Sequence, residues 1–533
     1  MELKDQTKHL FKGTLILTIA ALLTKVLSAF YRIPFQNIVG DVGFYIYQQV
    51  YPFYGIAIAL STYGFPVVIS KLYAEEMGKG ENGNPKQLLG TMMIILCGFG
   101  FLTSALLFVL SDSIAHYMHD PGLAPLLRLV SLVFLMMPVI SLLRGVFQGY
   151  GEMLPTAVSQ VSEQLIRVIT ILVTALFLVS HGSSLYTVGA GAVFGSITGM
   201  IASFSILLFY WLRLQKRKPI IGKIQFKQTR NIFKLFLTQA LPICISSMLL
   251  VLIQLADSLN LYSLLVSSGI SVDSAKATKG VYDRGQPLIQ LGTVVATSMS
   301  LSLVPLITKD KMQNHSAELK EKVVLALKTS ILVGVGATLG LLSIIEPTNI
   351  MLFENNAGSY VLAVLTILIL LASVTMTLAA IFQGLGFTIY PAVLVVLAFL
   401  LKNGLNTVLV PVWGILGAAI SSVLALFGIL VLFIIKLHRM VEESLLTLRF
   451  YIMTLLSALV MVIVLKGFLL STHFIYDLDS SERLLASFQA LAAVVIGGFA
   501  YIFMMIKTHL LTESDLFLLP FGSKLMVFLP KEK

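Results

Sequence analysis

Charge is scarce in this chain. Asp, Glu, Lys and Arg make up 12% of its 533 residues, where a soluble domain carries about a quarter. That excludes a cytosolic enzyme, and it equally excludes a disordered chain, which is rich in charge and poor in apolar residues. Cysteine is nearly absent. Cys97 and Cys244 are the two, each inside an apolar run, so neither a disulfide framework nor a thiolate metal site is expected. There is no GxxxxGK followed by Ser or Thr, no HExxH and no CxxC, which excludes a built-in P-loop ATPase and the common zinc chemistries. Long polar loops are missing too. The longest, at 213–231, 263–281 and 466–485, are about 20 residues, too short for the extramembrane catalytic domain of a glycosyltransferase or polymerase. No enzyme, metal site or resident cofactor is expected.

Apolar residues fill the space that charge leaves. They are 57% of the chain, mean hydropathy is +0.92, and the runs last about 20 residues or more. Outer-membrane barrels alternate polar and apolar residues in segments of about ten. The pattern here is that of an all-α polytopic membrane protein. Windows of about 20 apolar residues give fourteen candidate spans, at roughly 10–32, 44–70, 88–110, 124–147, 155–180, 187–212, 232–262, 280–307, 322–345, 358–383, 389–411, 414–438, 448–470 and 486–508. The first is interrupted by Lys25 and followed by Arg32, which marks a retained span and not a cleaved signal. The net charge of +11 gives no reason to invoke nucleic acid. It reflects basic residues on one side of the membrane, above all the run from Arg213 to Lys234. By the excess of Lys and Arg in cytoplasmic loops, both termini are expected in the cytoplasm.

A repeat organises the spans. Arg144-Gly-Val-Phe-Gln-Gly-Tyr-Gly151 returns as Ala379-Ala-Ile-Phe-Gln-Gly-Leu-Gly386, 235 residues later, and Gly189-Ala190-Gly191 is echoed by Gly417-Ala418-Ala419. Two six-helix lobes, 1–212 and 232–440, are expected, related by a pseudo-twofold axis along the membrane normal. A basic cytoplasmic linker at 213–231 joins them. Two further spans follow within 446–510, then a cytoplasmic tail at 511–533. Gly145 and Gly149, and Gly191, Gly195 and Gly199, have the spacing that lets membrane helices approach closely. Pro52, Pro66, Pro242, Pro305 and Pro391 lie in or beside spans. There they free backbone groups that protein or a watery cavity must satisfy, whether as hinges or as packing kinks.

Ionisable residues inside spans are the informative ones, since a charge at the bilayer centre costs roughly 2.5–3.5 kcal/mol. Arg144, Lys328 and Arg128 fall near span ends, where long side chains snorkel. Glu163 and Arg167 are spaced for an i, i+4 ion pair. Lys25 and Arg32 are two helical turns apart, on one face of span 1, with no acid in that span. Arg32 reaches either the outer interface or a cavity, and Lys25 needs a cavity or a partner. Asp257 in span 7, Asp283-Arg284 opening span 8 and Lys402 in span 11 complete the set. The unpaired charge in this reading is positive and suits an anionic substrate, because guanidinium matches phosphate oxygens with forked hydrogen bonds.

At these residues the sequence resembles a known family. Gly13-Thr-Leu…Thr24-Lys-Val-Leu…Arg32, then Val39-Gly40…Gly64-Phe65-Pro66…Ser70-Lys71, is similar to the start of the polysaccharide transporters and MurJ-type lipid flippases, in the stage V sporulation protein B branch. The Phe-Gln-Gly-x-Gly repeat and Lys402-x3-Asn406-x4-Pro411-x2-Gly414-x2-Gly417-Ala-Ala fit as well. The resemblance implies the MATE-like fold of the multidrug/oligosaccharidyl-lipid/polysaccharide exporters, with two lobes, a central cavity and alternating access. It implies a substrate carried on undecaprenyl phosphate or pyrophosphate, moved across the cytoplasmic membrane among membrane lipids and beside the enzymes of wall or polymer synthesis. Lys25, Arg32 and Arg284 match basic cavity positions, and Lys402 joins them as a candidate substrate contact. Asp257, Asn403 and Asn406 are candidate oxygens for a coupling cation, sodium or proton. Two departures stand out. Ile56 and Ala57 occupy span 2 positions where the family pattern has arginine, and Pro287 replaces an expected acid.

The leading expectation is therefore a flippase of lipid-linked glycans for peptidoglycan or another surface polymer. A MATE-type multidrug or cation antiporter is the alternative on the same fold. A non-transporting scaffold for wall synthesis is the alternative of another kind.

Overall fold

The structure is a computed structural model that describes residues 2–80, 83–214, 226–294, 307, 316–440, 445–475 and 482–510. Among these, twelve helical stretches are long and apolar enough to cross a membrane. The tail at 511–533 and all of the basic linker except its two ends lie outside the described residues, as does the second half of span 8.

The first such stretch, Ile16–Gly78, is 63 residues long, or about 95 Å at 1.5 Å per residue, some three times the bilayer core. Local chemistry breaks it. Helix α1 (Glu2–Phe30) passes through Tyr31 into α2 (Arg32–Ala59), which kinks at Gly40 with φ 70° and ψ −179°, a conformation that residues with a Cβ avoid. A wide turn at Leu60–Gly64 leads into α3 (Phe65–Gly78), whose second residue is Pro66. The next elements are α4 (Pro85–Val109), α5 (Ser111–Tyr117), α6 (Ala124–Gly149), α7 (Leu154–Ser180) and α8 (Leu185–Leu214).

Span 7 differs from its expected single run over 232–262. It is built of α9 (Phe226–Leu235), a second wide turn at Phe236–Ala240, α10 (Leu241–Ser247) and α11 (Leu249–Ser267). Pro242 accounts for the wide turn, since a proline cannot complete the regular hydrogen-bond ladder and clashes with the preceding turn. Helix α12 (Val272–Asp283) follows, earlier than span 8 was expected to open, and α13 occupies 285–294. The remainder is α14 (Ser316–Ser343), α15 (Ile345–Phe353), α16 (Ser359–Gly384), α17 (Ile389–Trp413), α18 (Ile415–Met440), α19 (Leu448–Ile475) and α20 (Glu482–Lys507).

The helices gather into two compact units. Met1–Pro287 and Gly386–Ser421 form the first, and Leu288–Leu385 and Ser422–Lys533 the second. In the first, small residues set the approach of α8 to α7. A Cβ on Gly199 would stand 2.7 Å from the Glu163 carbonyl, and one on Gly195 3.1 Å from that of Arg167. Helix α6 meets α3 in the same way through Gly145 and Gly149. Both runs of spaced glycines are thus packing faces. In the second unit, Thr338 of α14 hydrogen-bonds the α16 backbone at Thr366 and Leu370, and Tyr501 of α20 donates to the Leu332 carbonyl at 2.8 Å.

Candidate functional site

Every sequence-derived candidate lies in the first unit. The structure divides them into two balanced clusters and one that is not balanced.

The first cluster joins α11 to α17. Turn periodicity places Asp257 and Asn260 together on α11, and Lys402, Asn403 and Asn406 together on α17. The Lys402 ammonium is fully buried, 2.7 Å from Asp257 Oδ1, and donates to the Ala418 carbonyl at 3.0 Å. Asn406 donates to Asp257 at 3.2 Å and to Asn260 at 2.8 Å. Tyr282 donates to the other Asp257 oxygen at 2.9 Å. Asn260 reaches Asn403 Oδ1 at 3.1 Å. Lys402 was expected to add unpaired positive charge. It does not, because Asp257 neutralises it.

The second cluster fixes Arg284 to the kink at Gly40. A Cβ on Gly280 would stand 2.1 Å from the Asp41 carbonyl oxygen, so α12 lies directly against the start of the helix beyond the kink. One turn farther on, Arg284 Nη2 holds both Asp41 oxygens, at 2.8 and 2.9 Å, and Nε adds a third bond at 3.1 Å. This is the forked pairing that favours arginine. Arg284 is therefore engaged as well, by an acid that lies between the first two expected spans. Lys279 and Asp283 pair at 2.8 Å beside it, both fully buried.

The third cluster overturns two expectations. Glu163 does not pair with Arg167. It pairs with Arg144 at 2.7 Å, and Arg144 is buried, not snorkelling. All five N–H groups of Arg144 are used, toward Ser159, the Ser61 carbonyl, Thr62, Glu163 and Ser203. Arg167 turns instead to phenols. Its Nη2 donates to Tyr31 and Tyr47, each at 2.8 Å, and its guanidinium sits 4.3 Å from the Tyr54 ring centre. Arg32, 2% exposed, lies 4.2 Å above the Tyr51 ring. The helical path from Lys25 through Arg32 is maintained, with Tyr31 N–H bonded to the Leu27 carbonyl. Lys25 itself is half-buried.

Sequence reading thus missed Asp41, Lys279, the role of Arg167 and the tyrosines. The last had a visible signal, since Tyr47, Tyr51 and Tyr54 follow the four- and three-residue steps of one helical face.

No three His, Cys, Asp or Glu residues stand close enough to hold a metal ion among the described residues. The fold and this interior define a class: an α-helical, multi-pass membrane protein with charged groups buried between its helices. The same fold occurs in a solved structure titled lipid II flippase MurJ in an inward closed conformation, with TM-score 0.67, 16% identity, and coverage of 92% of this chain and 98% of that one. It occurs also in an inward-facing multidrug resistance MATE transporter of the MOP superfamily, with TM-score 0.62, 16% identity, and coverage of 79% and 96%.

Residues 10–311 match the family model described as polysaccharide biosynthesis protein, and the chain belongs to that family. Among its relatives, the membrane protein YabM of Bacillus subtilis is 41% identical over 98% of this chain and 97% of its own length. A lipid II flippase, MurJ of Bacillus subtilis, is 26% identical over 93% and 95%.

Proposed function

We propose that this protein is a transporter, not an enzyme, that moves glycans linked to undecaprenyl phosphate or pyrophosphate from the inner to the outer leaflet of the cytoplasmic membrane. It does so by alternating access of two lobes, with both termini in the cytoplasm. The observation that carries this reading is Arg32. Its guanidinium is buried against an aromatic face, with no carboxylate at ion-pair distance among the described residues. A buried cation without an anion costs several kcal/mol, and a phosphate headgroup would relieve that cost. Near-full-length similarity to a relative named as a lipid II flippase supports the same cargo class.

In this reading Lys25 and Arg32 contact the headgroup directly, and Arg284 does so by exchanging Asp41 for phosphate. Lys402 moves from the cargo contacts to the coupling cluster, with Asp257, Asn403 and Asn406. Its ammonium already holds the Ala418 carbonyl and the Asp257 carboxylate, the one charged donor that a sodium ion would otherwise use. This favours protons over sodium as the coupling ion, while the Asn406 amide oxygen stays buried with no partner among the described residues. The lipid-linked glycan is the partner, supplied and consumed by wall or surface-polymer synthesis.

The test is reconstitution in proteoliposomes with a panel of fluorescent lipid-linked sugars, scored for leaflet transfer. Transfer of at least one glycan lipid above the rate of protein-free vesicles is expected. No transfer of any, with efflux of cationic dyes instead, would replace this reading by the multidrug antiporter.

A further inference from the structure

Among the described residues of the first unit, two buried cations have no carboxylate of their own. Five carboxylates, those of Asp41, Asp120, Glu163, Asp257 and Asp283, are each engaged by a cation of their own: Arg284, Lys276, Arg144, Lys402 and Lys279 in that order. Arg32 and Arg167 are left over. Each is 2% exposed, and neither has a carboxylate at ion-pair distance among the described residues. They share a ring, since Tyr51 lies 4.2 Å from the Arg32 guanidinium and 5.5 Å from that of Arg167.

Unused hydrogen-bonding capacity at the same place is mostly donor capacity. Arg144 next door has every N–H satisfied. By contrast, among the described residues Arg32 Nε, Arg167 Nε and Gln164 Nε2 are buried with no partner, and so is the Tyr54 hydroxyl. Tyr31 and Tyr47 both accept from Arg167, and their oxygens are 2.7 Å apart, so one donates to the other. The second of those two phenols then retains a proton with no acceptor among the described residues. Glu163 Oε1 is an acceptor left open nearby, but its carboxylate is already committed to Arg144. Native proteins leave few buried polar groups unsatisfied, and each one asks for an explanation. Two guanidinium groups, an amide and phenols, all with N–H or O–H to give, ask for an oxyanion.

We propose that Arg167, with Arg32, Gln164 and the tyrosine face of α2, forms a binding site for a phosphate-type oxyanion. Tyr47, Tyr51 and Tyr54 belong to the α2 segment on which Ile56 and Ala57 stand where the resemblance led us to expect arginine. Helix α7 brings a guanidinium, that of Arg167, to this tyrosine segment. The glycine face of α8 explains why it can. Gly195 and Gly199 press on the α7 backbone at Arg167 and Glu163, and Arg167 extends toward α1 and α2. The chemistry would take a phosphate or pyrophosphate, either as a lipid headgroup or free. Only the choice of the lipid as natural ligand rests on the proposed function.

The test uses the full-length protein in nanodiscs. In one arm inorganic pyrophosphate is titrated calorimetrically. In the other, nanodiscs carry a polyprenyl diphosphate, and lipid retained by the protein is counted by native mass spectrometry. Binding in either arm is expected, and which arm binds identifies the source. Arg167→Gln should weaken it at least tenfold. Tyr54→Phe removes a hydroxyl that bonds nothing among the described residues, so it should leave the melting temperature unchanged and weaken binding about threefold or more. It serves even if Arg167→Gln does not fold. Arg128→Gln, at an exposed pair with Asp112, should bind as wild type. No binding of either probe, or wild-type binding by Tyr54→Phe together with any folded Arg167 variant, would overturn the site. Anion binding without glycan transfer by the wild type would instead keep the site and remove the proposed function.

Discussion

Arg144 and Arg167 show how differently two buried guanidiniums of one unit can be held. Arg144 has five satisfied N–H groups and a carboxylate, so its role is structural. Arg144→Ala would leave Glu163 buried without a cation, which typically costs about 3–5 kcal/mol. A large fall in melting temperature in detergent is expected, and the double variant Arg144→Met with Glu163→Leu should recover most of it. If the single variant melts like wild type, the pair carries no stability.

Partner choice at this scale was not legible in the sequence. The i, i+4 spacing made Glu163 and Arg167 the natural pair, and tertiary contact gave Glu163 to a residue 19 positions away. Asp41 was hidden for a related reason. It falls between the first two expected spans, and only the close approach of α12 shows that it receives Arg284.

Helices were far more legible, because a span needs about 20 apolar residues and an apolar run of that length has few other uses in a chain so poor in charge. What the runs concealed were the interruptions. The wide turns at Leu60–Gly64 and Phe236–Ala240 precede Pro66 and Pro242, and hydropathy does not register them. They pack closely. Phe65 and Phe236 have ring centres 5.0 Å apart, and a Cβ on Gly64 would fall 1.7 Å from Cys244 Sγ. Gly64→Ala must therefore displace α10 or the turn, and Gly280→Ala must push α12 off Asp41. Both should lower the melting temperature by several degrees, the second also breaking the Arg284–Asp41 pair. Gly98→Ala, with no atom near its added Cβ, should be neutral or slightly stabilising. Equal melting of all three would show that these approaches do not constrain the fold.

For the whole molecule, the composition already spoke for a polytopic membrane protein, and the family match and shared fold bear that out. Cargo and energy source are decided by a handful of buried side chains, which composition cannot resolve. Because Lys402 occupies the oxygens of Asp257 and Ala418, replacing sodium by potassium on both sides of the vesicle should change transfer by less than about twofold. A strict sodium requirement would mean that Lys402 leaves that position during transport.

The most direct measurement is leaflet transfer of a labelled undecaprenyl diphosphate-linked sugar in proteoliposomes, comparing wild type, Arg32→Gln and protein-free vesicles at equal folded protein. Wild type should exceed the empty vesicles clearly, and Arg32→Gln should lose at least tenfold of that rate. Transfer by Arg32→Gln at the wild-type rate, or none by the wild type, would contradict the view that this interior carries a phosphate-bearing lipid.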